Sequence, residues 1–149
     1  MKKNRKEIPK NIFINTSIFY KEKGSLKFVI NSPVIKEYAF YTLFPNGMNL
    51  LIYDQNTNKY TYISANWVKS VGKTFYHIKG NIKIMSPEGF FLKTDEIFWD
   101  RIHKKIFNKK YTTISNRSGM KLYVMNGIEA SEDLKKIRLK NISGTFPIK

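Results

Sequence analysis

Apolar and polar positions alternate with a period of two along most of the chain, in short runs rich in Ile, Val, Phe and Tyr bounded by clusters of Gly, Pro, Asn, Asp and Ser. That pattern predicts half-buried β-strands nearly everywhere and helices almost nowhere. Runs at Ile12 to Tyr20 and Leu26 to Ile30 flank Lys23-Gly24-Ser25, a hairpin connection, and Ser32-Pro33 is expected to break the second run because proline cannot donate to a ladder. Phe44-Pro45-Asn46-Gly47 predicts a tight hairpin turn before a strand at Met48 to Tyr53, since Asn-Gly supplies positive φ. After a turn at Asp54 to Asn58, the run Tyr60 to Trp67 sets Tyr60, Tyr62 and Ser64 on one face against Thr61, Ile63, Ala65 and Trp67 on the other, and Val71-Gly72-Lys73 closes it.

From Thr74 the rhythm is regular, with connections at Ser86 to Gly89, Asp100 to Lys105, Asn116 to Gly119 and Ser131 to Lys136, the spacing of a sandwich or barrel. Tyr76, Ile78, Ile82 and Ile84 share a parity, with Gly80 between them as a corner or bulge. Between Phe91 and Asp100 the apolar phase shifts: Leu92 and Thr94 fit one parity, Ile97 and Trp99 the other. One extra residue at Asp95-Glu96, a β-bulge, would keep both halves pointing inward. Met120, Leu122 and Val124 form the next inward row, and Ile137 with Leu139 the last. The expectation is one all-β domain over residues 11–149 behind a basic tail, 1–10. A chain of 149 residues suffices for a domain that buries roughly 70% of its unfolded surface.

Composition narrows the chemistry. The chain has no cysteine, which excludes disulfides, thiolate metal sites and a cysteine nucleophile. The net charge of +16 would ordinarily suggest nucleic acid, an anionic surface or a phosphorylated ligand. The cations are nearly all Lys, however, and the chain is also heavy in Asn, Ile, Tyr and Phe, residues whose codons need only adenine and uracil. That pattern reflects genome bias as readily as a binding surface. The basic opening residues lead to Ile12, Phe13 and Ile14, interrupted at once by Asn15 and Thr16, and no stretch approaches the ~20 apolar residues of a membrane span.

An enzyme is not expected. His77 and His103 lie in no zinc-binding spacing, Asp95 and Glu96 are adjacent and so point to opposite faces of a strand, and no nucleophile elbow or phosphate-cradling loop occurs. No catalytic residue, metal or cofactor is predicted. Two binding classes remain. An OB-like barrel could stack single-stranded nucleic acid on Tyr60, Tyr62, Phe75 and Tyr76 beside lysines. Alternatively, an amphipathic lipid could lay its acyl chains between two sheets with phosphates at a lysine-lined mouth. The commonest fate of such aromatics is plain core.

Several pieces then occur in order: Ser64-Ala65-Asn66, Gly80-Asn81-Ile82, Glu88-Gly89, Leu92-x-Thr94-x-x-Ile97-x-Trp99-Asp100, Gly119, Gly127-x-Glu129-Ala130-Ser131-x-Asp133-Leu134 and Ile142-Ser143-Gly144-Thr145. Over about eighty residues the series resembles the pattern shared by LptC, LptA and the N-terminal domain of LptD, and its closing run resembles the Bacteroidetes type of the lipopolysaccharide export protein LptC. The resemblance implies a twisted, V-shaped, open β-jellyroll at the periplasmic face of the inner membrane of a Gram-negative bacterium. It implies a carrier that receives lipopolysaccharide from an LptBFG-type ABC transporter and passes it to an LptA-like jellyroll through edge-strand pairing, with no nucleic-acid partner. Ile12 to Phe19 and Ile137 to Ile142 are the candidate docking edges. Parity places Phe28, Ile30, Ile63, Ile78, Ile82, Ile84, Leu92, Ile97, Trp99, Leu122 and Leu139 inward, and the resemblance makes them walls of a groove for lipid A acyl chains. Such a groove requires an interior slot too wide for its own side chains to seal. Family members also open with a membrane helix or lipoprotein signal, which is not visible here.

Overall fold

A computed structural model of the chain describes residues 7–145. Its regular structure is fourteen strands: β1 (Asn11–Glu22), β2 (Ser25–Glu37), β3 (Tyr41–Phe44), β4 (Met48–Tyr53), β5 (Tyr60–Ala65), β6 (Trp67–Val71), β7 (Phe75–Met85), β8 (Phe91–Asp100), β9 (Lys105–Phe107), β10 (Thr112–Ser115), β11 (Lys121–Val124), β12 (Ile128–Ser131), β13 (Ile137–Leu139) and β14 (Ile142–Thr145). Every ladder is antiparallel, and all strands join one hydrogen-bonded sheet. The all-β expectation therefore holds.

The pairing has a simple logic. β3 and β4 both pair with β2, β5 and β6 both with β7, and β9 and β10 both with β8. β11 and β12 then add to β10 and β9, and β14 and β13 add to them. Each such couple is one long strand broken in its middle. With β1, β2, β7 and β8, which run unbroken, the chain is an up-and-down meander of long strands that all bend at the same level.

The bends fold the sheet into two layers. One contains β3, β6, β9, β12 and β13 with the first half of β7 and the last half of β8; the other contains β4, β5, β10, β11 and β14 with the remaining halves. Inward rows from both meet in a single core. Phe28 of β2 stands edge-on to Trp99 of β8 with ring centroids 5.3 Å apart, and Thr61 Oγ1 donates to Glu132 O across 2.8 Å.

The line of bends is a polar seam, because a backbone that leaves its ladder must find other partners. Asn66 N donates to Gly80 O over 3.0 Å. Ser32 Oγ donates to Gly47 O over 2.7 Å. Asn15, Asn81 and Asn141 take positive φ of 47°, 48° and 62°, a conformation asparagine tolerates better than other side chains. At Gly47 and Gly127 a Cβ would sit 2.3 Å from the Ala65 and Asn108 carbonyl oxygens, so the neighbouring strand can approach only a glycine. The densest node is buried Asn108. Its Oδ1 accepts from Ile128 N at 2.9 Å, and its Nδ2 lies 3.0 Å from Glu96 O and 3.1 Å from Thr94 and Thr112 Oγ1.

Local expectations divide along this seam. Lys23 and Gly24, at φ 52° and 79°, make the expected two-residue hairpin. Lys79 pairs with Glu96 and Ile82 with Thr94, three steps along β7 against two along β8, so the bulge falls at Gly80-Asn81 as expected there. The extra residue expected at Asp95-Glu96 lies on β7, not β8: the bulge in the partner strand is what lets β8 change phase. Leu92, Thr94, Ile97 and Trp99 are all buried across the phase shift. Three expectations need correction. Asn46-Gly47 is no hairpin: the strands on either side both pair with β2, and the turn bends one long strand instead. Ser32-Pro33 does not end β2, which continues to Glu37, because Pro33 sits where β2 changes partner from β4 to β3 and needs no ladder donor. Trp67 does not share the inward face of Ile63, since the break at Asn66 resets the phase and turns Val68 inward.

Replacing Asn108 with Ala leaves the buried Ile128 N–H without its acceptor and Glu96 O without this donor, while the Thr94 and Thr112 hydroxyls keep Tyr111 O and Lys110 O. Asn108→Ala should cost about 2–3 kcal/mol in urea unfolding, against about 0.5 kcal/mol or less for the exposed neighbour Lys109→Ala.

Candidate functional site

The residues placed inward by parity do converge. Phe28, Ile30, Ile63, Ile78, Ile82, Ile84, Leu92, Ile97 and Trp99 belong to one buried cluster, with Leu122 and Leu139 partly buried against it. They do not, however, line an open slot. Ile63, Ile78, Leu92, Ile97 and Trp99 are 0% exposed, whereas a channel wide enough for an acyl chain would leave its walls within reach of water. The expectation of an unsealed interior is corrected: rows from the two layers bury one another in a single cluster, with no surface of these five residues left to water. Sequence parity also passed over Ile35, Leu50, Ile52, Val68, Ile106, Ile114 and Ile128, which are equally buried.

Space opens instead at one mouth. There the β1–β2 and β4–β5 turns of one layer meet the β8–β9 and β12–β13 turns of the other, around a cavity of about 370 Å³. Phe28, Ile52 and Trp99 form its floor, and Lys27, Asp54, Arg101, Lys104 and Glu132 stand around it. Within one layer, Trp99 Nε1 donates to Glu132 Oε2 at 2.7 Å. Beside the Thr61–Glu132 bond, two further contacts cross the gap. The Arg101 guanidinium lies over the Tyr20 and Phe28 rings, 4.2 and 4.8 Å from their centroids. Lys135 Nζ reaches Asp54 Oδ2 at 3.3 Å. Burial pushes the Glu132 carboxyl above its ordinary value, opposed by the Trp99 hydrogen bond. Asp54 is held low, first by the Asn56 N–H and then by Lys135. Because these residues come from separate strands and turns, Asp54 and Lys135 being 81 positions apart, no local signal marks them.

The second unusual feature is β1. Among the described residues it pairs with β2 alone, so its outer edge carries free N–H and C=O groups. Natural edge strands are usually blunted by charge, proline or brevity. In a chain that is 26% charged, Asn11 through Tyr20 contains no charged residue. Ile14 and Phe19 are both 63% exposed, and Ile12, Phe13 and Ile18 are exposed as well. β13 and β14 form the opposite end and are short.

The aromatics proposed for nucleic acid are not gathered on one platform. Tyr76 is buried beneath Trp99, Tyr60 and Tyr62 face outward on one layer, and Phe75 faces outward on the other. Phe75 instead joins Phe98, Phe107 and His77 in a stacked outer band, where Glu96 Oε2 meets His77 Nε2 at 2.6 Å and is held low chiefly by that bond. His103 is exposed in the β8–β9 turn, bonded to Asp100 at 2.8 Å. Among the described residues no three His, Asp or Glu side chains converge as metal ligands, and no helix is long and apolar enough to cross a membrane.

No protein-family model matches this chain, and no curated protein matches it.

A raised carboxyl binds its proton more tightly in the folded state, so Glu132 lowers stability as pH climbs from its ordinary 4.5 through the raised value. Asp54 and Glu96, held low, act in a separate window and lose their contribution as pH falls below the ordinary range. Glu132→Gln keeps an acceptor for Trp99 and removes the desolvated charge. Urea midpoints measured from pH 4.5 upward should lose their decline in this variant, and an unchanged decline would assign it to another group.

Proposed function

We propose that this chain is a β-jellyroll of the lipopolysaccharide-export type, an LptC-like and non-enzymatic link between an inner-membrane ABC transporter and an LptA-like jellyroll at the periplasmic face of the membrane. The observation that carries the reading is the twelve-residue edge strand β1, which carries no charge from Asn11 through Tyr20. Its free backbone groups and exposed apolar side chains suit strand addition by a neighbour of the same architecture. Such a neighbour would extend both the ladder and the core. Two further features support it. A meander whose strands all bend at one level, folding one antiparallel sheet into two layers, is compatible with the jellyroll that the resemblance implies. Most of the pieces that carry that resemblance also fall on the seam or at the mouth: Asn66, Gly80-Asn81, Gly127, and Ser131-x-Asp133.

Carriage in this scheme is passive. Acyl chains enter by parting the layers at the mouth, where the Thr61–Glu132, Arg101–Tyr20 and Lys135–Asp54 contacts bridge them. Removing an acyl chain from water yields about 25 cal/mol per Å², which offsets the separation of Ile84, Leu92 and Trp99 from their opposite numbers. Direction comes from ATP hydrolysis in the transporter.

A photo-crosslinker at Ile84 or Trp99 should capture lipopolysaccharide, and the same probe at the outward Lys83 should not. Capture should rise when Lys135→Ala removes the Asp54 contact. Equal labelling at Lys83, or none at the inner positions, would sink the proposal. On the edge, Ile14→Lys with Phe19→Lys should abolish binding of a purified LptA-like jellyroll without lowering the melting temperature.

A further inference from the structure

Hairpin turns are normally polar, since their side chains have nothing to pack against. At one end of the layer formed by β3, β6, β9 and β12 this rule fails twice. Phe40, in the β2–β3 turn, is 83% exposed, and Ile102, in the β8–β9 turn, is 71% exposed. Between them exposed Val71 ends β6, next to the β6–β7 turn. Neither the core nor edge pairing along β1 uses these side chains.

The turns form one row. Arg101 N donates to Thr74 O at 2.8 Å, its Nη1 donates to Lys73 O at 3.1 Å, and Glu132 N donates to Lys104 O at 3.2 Å. A hollow bordered by Lys10, Tyr38, Phe40, Gly72 and Lys73 links the first turn to the second. Successive tips are two strands apart, about 10 Å at the usual strand spacing. Lys10, Lys73, Lys104 and Lys136 are exposed along the same row. Among the nearby acids, Asp100 faces His103, and Glu7, Glu37, Glu132 and Asp133 accept hydrogen bonds from Tyr41, Asn11, Trp99 and Ser131.

We propose that this row is a membrane-surface contact, in which Phe40 and Ile102 enter the headgroup region of an anionic bilayer while Lys10, Lys73 and Lys104 meet its phosphates. A protein partner needs a contiguous, complementary patch. Apolar prongs spaced by cations offer none, but they suit a fluid interface that closes around each prong, and the basic residues add attraction to anionic headgroups. The inference goes beyond carriage and strand addition, neither of which requires it. Arg101 and Lys104 also border the mouth, so the contact would hold that opening beside the lipid surface.

The test is flotation of the full chain with lipopolysaccharide-free vesicles of phosphatidylglycerol and phosphatidylcholine, compared with phosphatidylcholine alone. Binding should require the anionic lipid. Phe40→Ser and Ile102→Ser should each weaken it about tenfold, the scale expected for losing one buried apolar side chain, and Lys73→Glu with Lys104→Glu should weaken it and flatten its salt dependence. Met125→Ser, exposed at the seam, serves as the control and should change nothing; unchanged melting temperatures would confirm that each variant folds. No affinity for anionic vesicles at low salt overturns the proposal. So does affinity that survives both Phe40→Ser and Ile102→Ser, because that is the response of a +16 chain to any anionic surface. Since no lipopolysaccharide is present, neither result depends on the carrier reading.

Discussion

Every long strand of this protein leaves its ladder at the same level, and the fold stands because the backbone groups exposed there find other partners. An unsatisfied buried N–H or C=O costs about as much as a lost hydrogen bond, and a bend repeated across the whole meander multiplies that cost. Asparagine, serine and threonine side chains supply the missing partners, and glycines let adjacent bends approach. Asn108 is the clearest case, joining β8, β9, β10 and β12 through one side chain. Without the seam the sheet would remain open, and neither the core nor the mouth would exist.

Once folded over, the two layers bury Ile, Leu and Trp rows against each other and leave polar turns to face across the mouth. The interior is filled in the absence of a guest, so any lipid it accepts must replace contacts the layers make with each other. The energetics favour such an exchange only near the edge of the core, where few contacts need separate. The mouth is that edge: an apolar floor of Phe28 and Trp99 lies under an arginine, two lysines and a desolvated carboxyl.

Charge is distributed to match. Among the described residues few cations face acids in close pairs, and Glu129 with Lys105 and Asp54 with Lys135 are among those that do. Most lysines stand on solvated strand faces and turns, leaving the Asn11–Tyr20 stretch of β1 as an uncharged exception in a strongly basic molecule. A strand of that length and character is an aggregation hazard when bare, which is the physical reason to regard it as normally covered.

How much was legible beforehand follows from the range of each interaction. Alternation with period two is a property of neighbouring residues, so the strands, the Lys23-Gly24 hairpin, the Gly80 bulge and the inward parity of Ile78, Ile84, Leu92 and Trp99 could be read directly. The same local rules misjudged Asn46-Gly47, Ser32-Pro33 and Trp67, because a turn that reverses a chain and a turn that merely bends it use the same residues. Only the strand lying alongside distinguishes them. Likewise, an apolar inner face is written in the sequence, but whether two such faces seal or leave a slot depends on how their rows interdigitate. The mouth was invisible for the same reason: Trp99, Glu132, Asp54 and Lys135 meet only after the meander is folded over. Sequence alone determined which residues turn inward; tertiary structure decided what they meet, since the first is set by backbone geometry within a strand and the second by packing between layers.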